Sequence, residues 1–257
     1  MNAQLPTDPM TSNCVLPARA TRRGALRLGI AALGLSALPA RSAQRQFRLD
    51  STTGLILHDV VASPTTFEGR MGVKVELSDA TQRRVTSSGV GNQPAFALLP
   101  GDFTDGTIQT AIAATVNGRG DKDARGFVGI AFHIPEDRST YEAVYLRMTN
   151  GRLASPKPPA PRIDRAIQYT AHPDFHFDAS RRAAPGRYER GADVAPATWT
   201  SLRLEIKGKS LRAFVGDAAE PALEVSDLRY GGRGGAIGLW VDDGTTGYFS
   251  DLRITPR

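Results

Sequence analysis

GFVGIAFHIPEDRSTYEAVYLRMTNGR, residues Gly126–Arg152, decides the fold. Two runs of alternating residues, Phe127–Ile134 and Tyr141–Met148, flank the turn-rich Pro135-Glu136-Asp137-Arg138-Ser139. Apolar residues at every second position are what a strand with one buried face requires. In the first run Val128, Ile130 and Phe132 share one face, and Phe127, Gly129, Ala131 and His133 take the other. In the second, Val144 and Leu146 lie with Glu142, opposite Tyr141, Ala143, Tyr145 and Arg147. One face reads as core. The other sets His, Tyr and Arg among small residues, a composition suited to a shallow polar groove.

The same pattern extends in both directions. Strands are expected near 55–61, 70–77, 94–99, 106–116, 166–171, 188–194, 200–207, 210–216, 222–228, 235–242 and 246–255. Turn chemistry punctuates them at Pro100-Gly101, Asn117-Gly118, Asn150-Gly151, Lys207-Gly208, Gly231-Gly232 and Asp243-Gly244. Helical periodicity is absent apart from a weak turn around Phe177–Ala184. Many short strands at regular spacing imply an all-β, two-sheet antiparallel sandwich of jelly-roll type, a single domain over 44–257. Residues 153–165, LASPKPPAPRIDR, hold four prolines and form no ladder strand. A long connection of this kind either walls a binding site or simply crosses the surface.

The first 43 residues read differently. A polar stretch precedes Thr21-Arg22-Arg23-Gly24-Ala25-Leu26-Arg27, the apolar run Leu28–Leu38 and small residues at Ala40, Ser42 and Ala43. A basic segment, a short apolar core and a small-residue exit make a secretory signal, too short for a membrane span. The paired arginines resemble a twin-arginine signal, which implies a bacterial protein exported folded to the periplasm or beyond. No other membrane association is expected.

The formal charge of +6 belongs mostly to this leader. Residues 1–42 hold five arginines and one aspartate, which leaves 27 basic and 25 acidic residues, or +2, for the body. A body so nearly neutral carries no electrostatic footprint for nucleic acid. The single cysteine, Cys14, also lies in the leader, so disulfides and thiolate metal sites are excluded from the domain. Stability must come from an ordinary hydrophobic core, and roughly 215 residues suffice for one.

From Gly126 onward the chain resembles a known group. The residues concerned are Tyr141-Glu142-Ala143-Val144-Tyr145-Leu146-Arg147, Thr149-Asn150-Gly151-Arg152, Gln168-Tyr169, His172-Pro173-Asp174-Phe175 and Pro185-Gly186-Arg187-Tyr188-Glu189. Trp199-Thr200, Gly235–Val241 and Gly247-Tyr248-Phe249-Ser250-Asp251-Leu252 continue it. Together they are similar to the concanavalin A-like lectin/glucanase superfamily, among exported bacterial proteins called laminin-G-like or 3-keto-disaccharide hydrolase-like. The resemblance implies a jelly roll whose concave sheet face contacts sugars. Polysaccharide-cleaving relatives carry Glu-x-Asp-x-x-Glu on one strand, and no such run occurs here.

Candidate site residues follow from chemistry. His133, Tyr145 and Arg147 share a predicted face, and an arginine fork grips vicinal hydroxyls or a carboxylate. Asn150 and Gln168 add amide partners. Trp240 alternates with Ala236 and Gly238 and is either a stacking platform for a pyranose or a core filler. His172, Asp174 and Glu142 are the candidates for proton transfer. The run His172-Pro173-Asp174-Phe175-His176-Phe177-Asp178 invites a metal reading but lacks a zinc spacing, so no metal is assigned. No motif names a cofactor: Gly231–Gly235 lacks the Lys-Ser/Thr pair of a phosphate loop, and no nucleophile elbow is present. Three readings stand: sugar recognition, a glycan-active hydrolase or lyase, and a structural or protein-interaction module. The expected partner is a carbohydrate or glycoside.

Overall fold

The computed structural model describes residues 43–257, so the expected export leader lies, but for Ala43, outside the described residues. The strands in chain order are β1 (Arg45–Phe47), β2 (Ile56–His58), β3 (Val60–Phe67), β4 (Arg70–Leu77), β5 (Phe96–Phe103) and β6 (Gly106–Val116). They continue as β7 (Phe127–Ile134), β8 (Tyr141–Arg147), β9 (Ile167–His172), β10 (Glu189–Arg190) and β11 (Thr200–Lys207). The last four are β12 (Ser210–Val215), β13 (Leu223–Val225), β14 (Gly235–Val241) and β15 (Thr245–Pro256). Helix α1 spans Asp79–Ser88 and α2 spans Phe177–Ala183.

Two antiparallel sheets result. The first runs β13-β12-β11-β6-β15-β4-β3, with β1 on the far half of β15, and the second runs β10-β9-β8-β7-β14-β5-β2. Alternation explains the layering. Val128, Ile130 and Phe132 of β7, Val144 and Leu146 of β8, and Ile237, Leu239 and Val241 of β14 all face inward. They meet Val73 and Val75 of β4, Ile108 and Ile112 of β6, and Leu202, Leu204 and Ile206 of β11. This is the sandwich jelly roll that the pattern implies, with one core between its sheets.

Two local features break the sequence-based expectation. The first is α1, in a region where no helix is expected. Its only buried side chains are Thr81, Gln82 and Val85, so it shows no apolar stripe. Local capping holds it: Ser78 Oγ accepts from the Thr81 N–H at 3.2 Å, and Gly89 closes it in the left-handed conformation at φ 64°. Tertiary hydrogen bonds complete the anchoring, with Gln82 Nε2 donating to Asp243 Oδ1 at 2.5 Å.

The second is a bulge in β7. Between Ala236 and Gly238 of β14 the register slips, so that Ala131 to Ile134 spans one residue more than its partner. His133 takes up the slip with φ at 53°. One extra residue reverses the alternation beyond it. His133 is therefore turned from the outer face, where alternation puts it, into the sandwich.

Candidate functional site

Strand register lays one row across the outer face of the second sheet. Phe96, Trp240, Gly129, Tyr145, Gln168 and Glu189 are successive cross-strand partners on β5, β14, β7, β8, β9 and β10. The row is aromatic at one end and charged at the other. Gly129 separates its two largest rings. A Cβ there would fall 2.5 Å from Tyr145 Cα, and in its absence the rings of Tyr145 and Trp240 approach to 4.9 Å.

Beyond this row, Phe127 pairs with Arg147, and Asp242 follows β14 with its N–H donating to Phe127 O at 3.3 Å. The segment after α1 roofs the opposite part of the face. The carbonyl of Asn92 accepts from Tyr141 Oη at 2.7 Å and from His172 Nδ1 at 3.1 Å. The Asn92 N–H donates to Asp242 Oδ2 at 2.8 Å.

A cleft of about 630 Å³ lies at the uncovered end. Phe127, Tyr145, Arg147 and Asp242 come from the sheet. Val85 to Asn92 come from α1 and its following segment, and Arg162, Arg165, Phe177 and Arg181 from the proline-rich connection and α2. Its size is that of a small-ligand site.

The polar groups are held in place. Arg147 is buried, and its Nη2 donates to Tyr145 Oη and Gln168 Oε1, both at 2.9 Å, while Nη1 donates to Arg165 O at 3.1 Å. Gln168 in turn donates to Ser180 Oγ on α2 at 3.1 Å. Asn150 donates to Arg165 O at 3.2 Å and accepts from Arg162 Nε at 3.1 Å. Burial pushes the Arg147 guanidinium below its ordinary value and the Tyr145 phenol above its own. Burial also pushes the Asp242 carboxyl up to about 6, against backbone N–H groups of Asn92 and Asp243 that favour its charged form. Asp243 is fully engaged, accepting from Gln82, Thr86 and the Asp121 N–H.

The sequence-derived candidates therefore divide. Tyr145, Arg147 and Asn150 line the cleft, and Gln168 sits behind Arg147 as a positioning residue. Trp240 is wholly buried against Tyr145, which makes it a filler rather than an open platform. The expectation that His133 joins Tyr145 and Arg147 is corrected, because the bulge carries it to the interior. There His133 Nδ1 lies 2.6 Å from Glu142 Oε2 and Nε2 lies 2.8 Å from Thr104 O. Both ring nitrogens of His133 are thus engaged by buried oxygen partners. Tyr169 Oη donates to Glu142 Oε1 at 2.5 Å, and burial followed by that carboxylate drives its phenol well above its ordinary value.

The three candidates for proton transfer, His172, Asp174 and Glu142, do not share one site. Glu142 and His172 project from opposite faces of the sheet, since Glu142 pairs with Ala171 and Tyr141 with His172. His172 stacks on Tyr141 at 5.2 Å, and Asp174 is exposed. Burial and the neighbouring His176 lower the His172 imidazole below its ordinary value. Among the described residues no three His, Cys, Asp or Glu side chains are arranged to hold a metal. The cleft residues absent from the sequence-based set are Asp242, Arg162, Arg165, Phe177 and Arg181. Only the four prolines of 153–165 pointed toward them, as a possible wall.

No protein-family model matches the sequence, and no curated protein does. Solved structures are similar in fold. A carbohydrate-binding module, CBM66 from Bacillus subtilis, is 14% identical over 79% of this chain and 96% of its own, with a TM-score of 0.51. A Bacillus subtilis protein of unknown function with a galectin-like fold is 12% identical over 84% and 99%, with a TM-score of 0.48. The Emp47p carbohydrate recognition domain is 9% identical over 82% and 94%, with a TM-score of 0.43. The chain thus has the concanavalin A-like jelly-roll fold, and at these identities the likeness concerns the fold alone.

Proposed function

We propose that this is an exported bacterial protein that binds a saccharide in the cleft beside Arg147. The observation that carries the reading is the lining itself. Phe127 and Phe177, the latter 40% exposed, border a cleft whose polar groups include five arginines, Asn150 and Asp242. A pyranose offers apolar C–H faces and a rim of hydroxyls, and aromatic rings beside planar hydrogen-bonding groups match both. The shared fold with CBM66, a carbohydrate-binding module, supports the same reading. Export rests on the twin-arginine-type leader and is tested by fractionating cells that express the full chain with and without Arg22→Lys/Arg23→Lys.

Binding is tested by calorimetric titration against neutral and acidic oligosaccharides. Phe177→Ala is expected to weaken binding by about tenfold, the scale of one lost aromatic contact. Saturable binding by no oligosaccharide sinks the reading and favours a protein-interaction module.

A glycan-active hydrolase or lyase is the second reading, and Asp242 favours it. A carboxyl held near 6 inside a cleft is suited to donating or accepting a proton near neutral pH. Product formation seen by mass spectrometry and abolished in Asp242→Asn is the result this reading requires.

A further inference from the structure

The cleft's two sides differ in charge. On β10, Glu189 is buried, and three guanidiniums converge on its carboxylate. Arg181 binds it in bidentate fashion, Nε to Oε1 at 2.8 Å and Nη2 to Oε2 at 2.7 Å. Arg165 Nε is 3.2 Å from Oε1, and Arg147 Nη1 is 3.7 Å from Oε2. The other partners of Arg147 are neutral: a phenol, an amide and a carbonyl. Arg162 adds a fourth guanidinium, donating to Asn150 Oδ1 and, at 3.5 Å, to Thr149 Oγ1. Among the described residues it has no carboxylate within ion-pair distance.

Four cations thus share one carboxylate on this wall, and all four line the cleft. Arginine does not discharge by losing its proton, so about three positive charges stay uncompensated. Burial, with the nearby Arg125, already disfavours the charged form of Arg162. The acids of the cleft do not neutralise this wall. Asp243 is spent on Gln82, Thr86 and the Asp121 N–H, Asp123 holds Arg125, Asp121 accepts from the Asp123 N–H, and among the described residues neither Asp121 nor Asp242 makes an ion pair. An anion bound among Arg147, Arg162 and Arg165 would complete the network with charge-assisted hydrogen bonds.

We infer that the arginine wall takes an anionic substituent of a saccharide, a carboxylate or a sulfate, so that the ligand class is an acidic glycan. This inference rests on the sugar-binding reading and narrows it. The sugar ring would lie toward Phe127 and Phe177, with hydroxyls facing Asp242 across the cleft.

The test titrates the full chain with oligomers of galacturonate, mannuronate and glucuronate, the methyl esters of each, a sulfated galactan oligomer and inorganic sulfate. Methyl esterification keeps the backbone and removes the charge. One uronate or the sulfated oligomer is expected to bind at least about tenfold more tightly than its uncharged counterpart at low salt, with the gap narrowing as salt rises. Arg162→Gln, at a half-exposed position, should erase most of that gap, the affinity for the charged form falling much further than that for the uncharged form. Lys207→Gln, exposed on the other sheet, should change nothing. Whichever charged oligomer binds more tightly identifies the anion.

Equal affinity for charged and uncharged oligomers would overturn the inference while the sugar-binding reading stands. So would a preference that survives Arg162→Gln undiminished. Binding of inorganic sulfate as tightly as any oligomer, or of no glycan at all, would overturn both.

Discussion

The second sheet carries two buried polar networks, back to back on the same strands. On the inner face His133, Glu142 and Tyr169 pair among themselves, with Thr104 O and the Arg229 N–H as further partners. On the outer face Tyr145, Arg147 and Gln168 are equally well placed, yet three arginines there share Glu189 and a fourth, Arg162, has no carboxylate partner among the described residues. Alternation along β8 separates the two, sending Glu142 inward and Tyr145 and Arg147 outward. The inner network closes on itself, with Glu142 held between His133 and Tyr169. The outer one is positioned but electrically incomplete, and it borders a cleft. Matched buried charge stabilises a fold only conditionally, whereas unmatched charge beside a cavity marks a place for a ligand.

The comparison breaks most sharply at Glu142. Glu142→Ala leaves buried His133 and Tyr169 without their shared hydrogen-bond partner, and a loss of about 2–5 kcal/mol in urea unfolding is expected. A loss below about 1 kcal/mol would show that the inner trio is not structural.

Asp242 gives the next largest effect, and its sign is specific. Its folded-state pKa is raised from 3.8 to about 6, so between those values the native state holds more protons than the unfolded chain. Its contribution is favourable below about pH 4 and is lost as pH rises toward 6, amounting to about 3 kcal/mol at most. Urea melts at pH 4 and pH 7 should show this limb in the native sequence and its flattening in Asp242→Asn. An unchanged pH dependence in the variant would place the titration elsewhere.

The smallest effect concerns the cleft wall alone. Ser78→Ala removes the cap of α1 and should cost about 1 kcal/mol. Amide exchange should then rise in α1 and the segment through Asn92, while β8 and β9 keep their protection. Equal acceleration in β8 would mean that the wall and the core unfold as one unit.

Much of this was legible in the residues. The β6, β7 and β11 ranges were expected at their observed limits, because each is a clean period-two run bounded by turn residues. Tyr145 and Arg147 were placed on the outer face for the same reason: face assignment is local. His133 was misplaced because a bulge shifts phase without any sign in its own strand. Helix α1 was missed because its fixing partner, Asp243, lies far along the chain; Ser78-Asp79 and Gly89 were the available signal. Arg181 carried no mark at all, being an ordinary polar residue until neighbours surround it.

The sequence by itself determined the strand periodicity, the inner and outer faces and the two-sheet sandwich, since hydrophobic alternation acts residue by residue. It also carries the leader, whose reading needs no partner. Tertiary structure alone decided which polar groups meet. Register aligned Tyr145 with Gln168 and Glu189, the bulge moved His133 to Glu142, and three arginines from three separate segments converged on one carboxylate. Charge balance is a property of neighbours in space, and only the folded chain sets who those neighbours are.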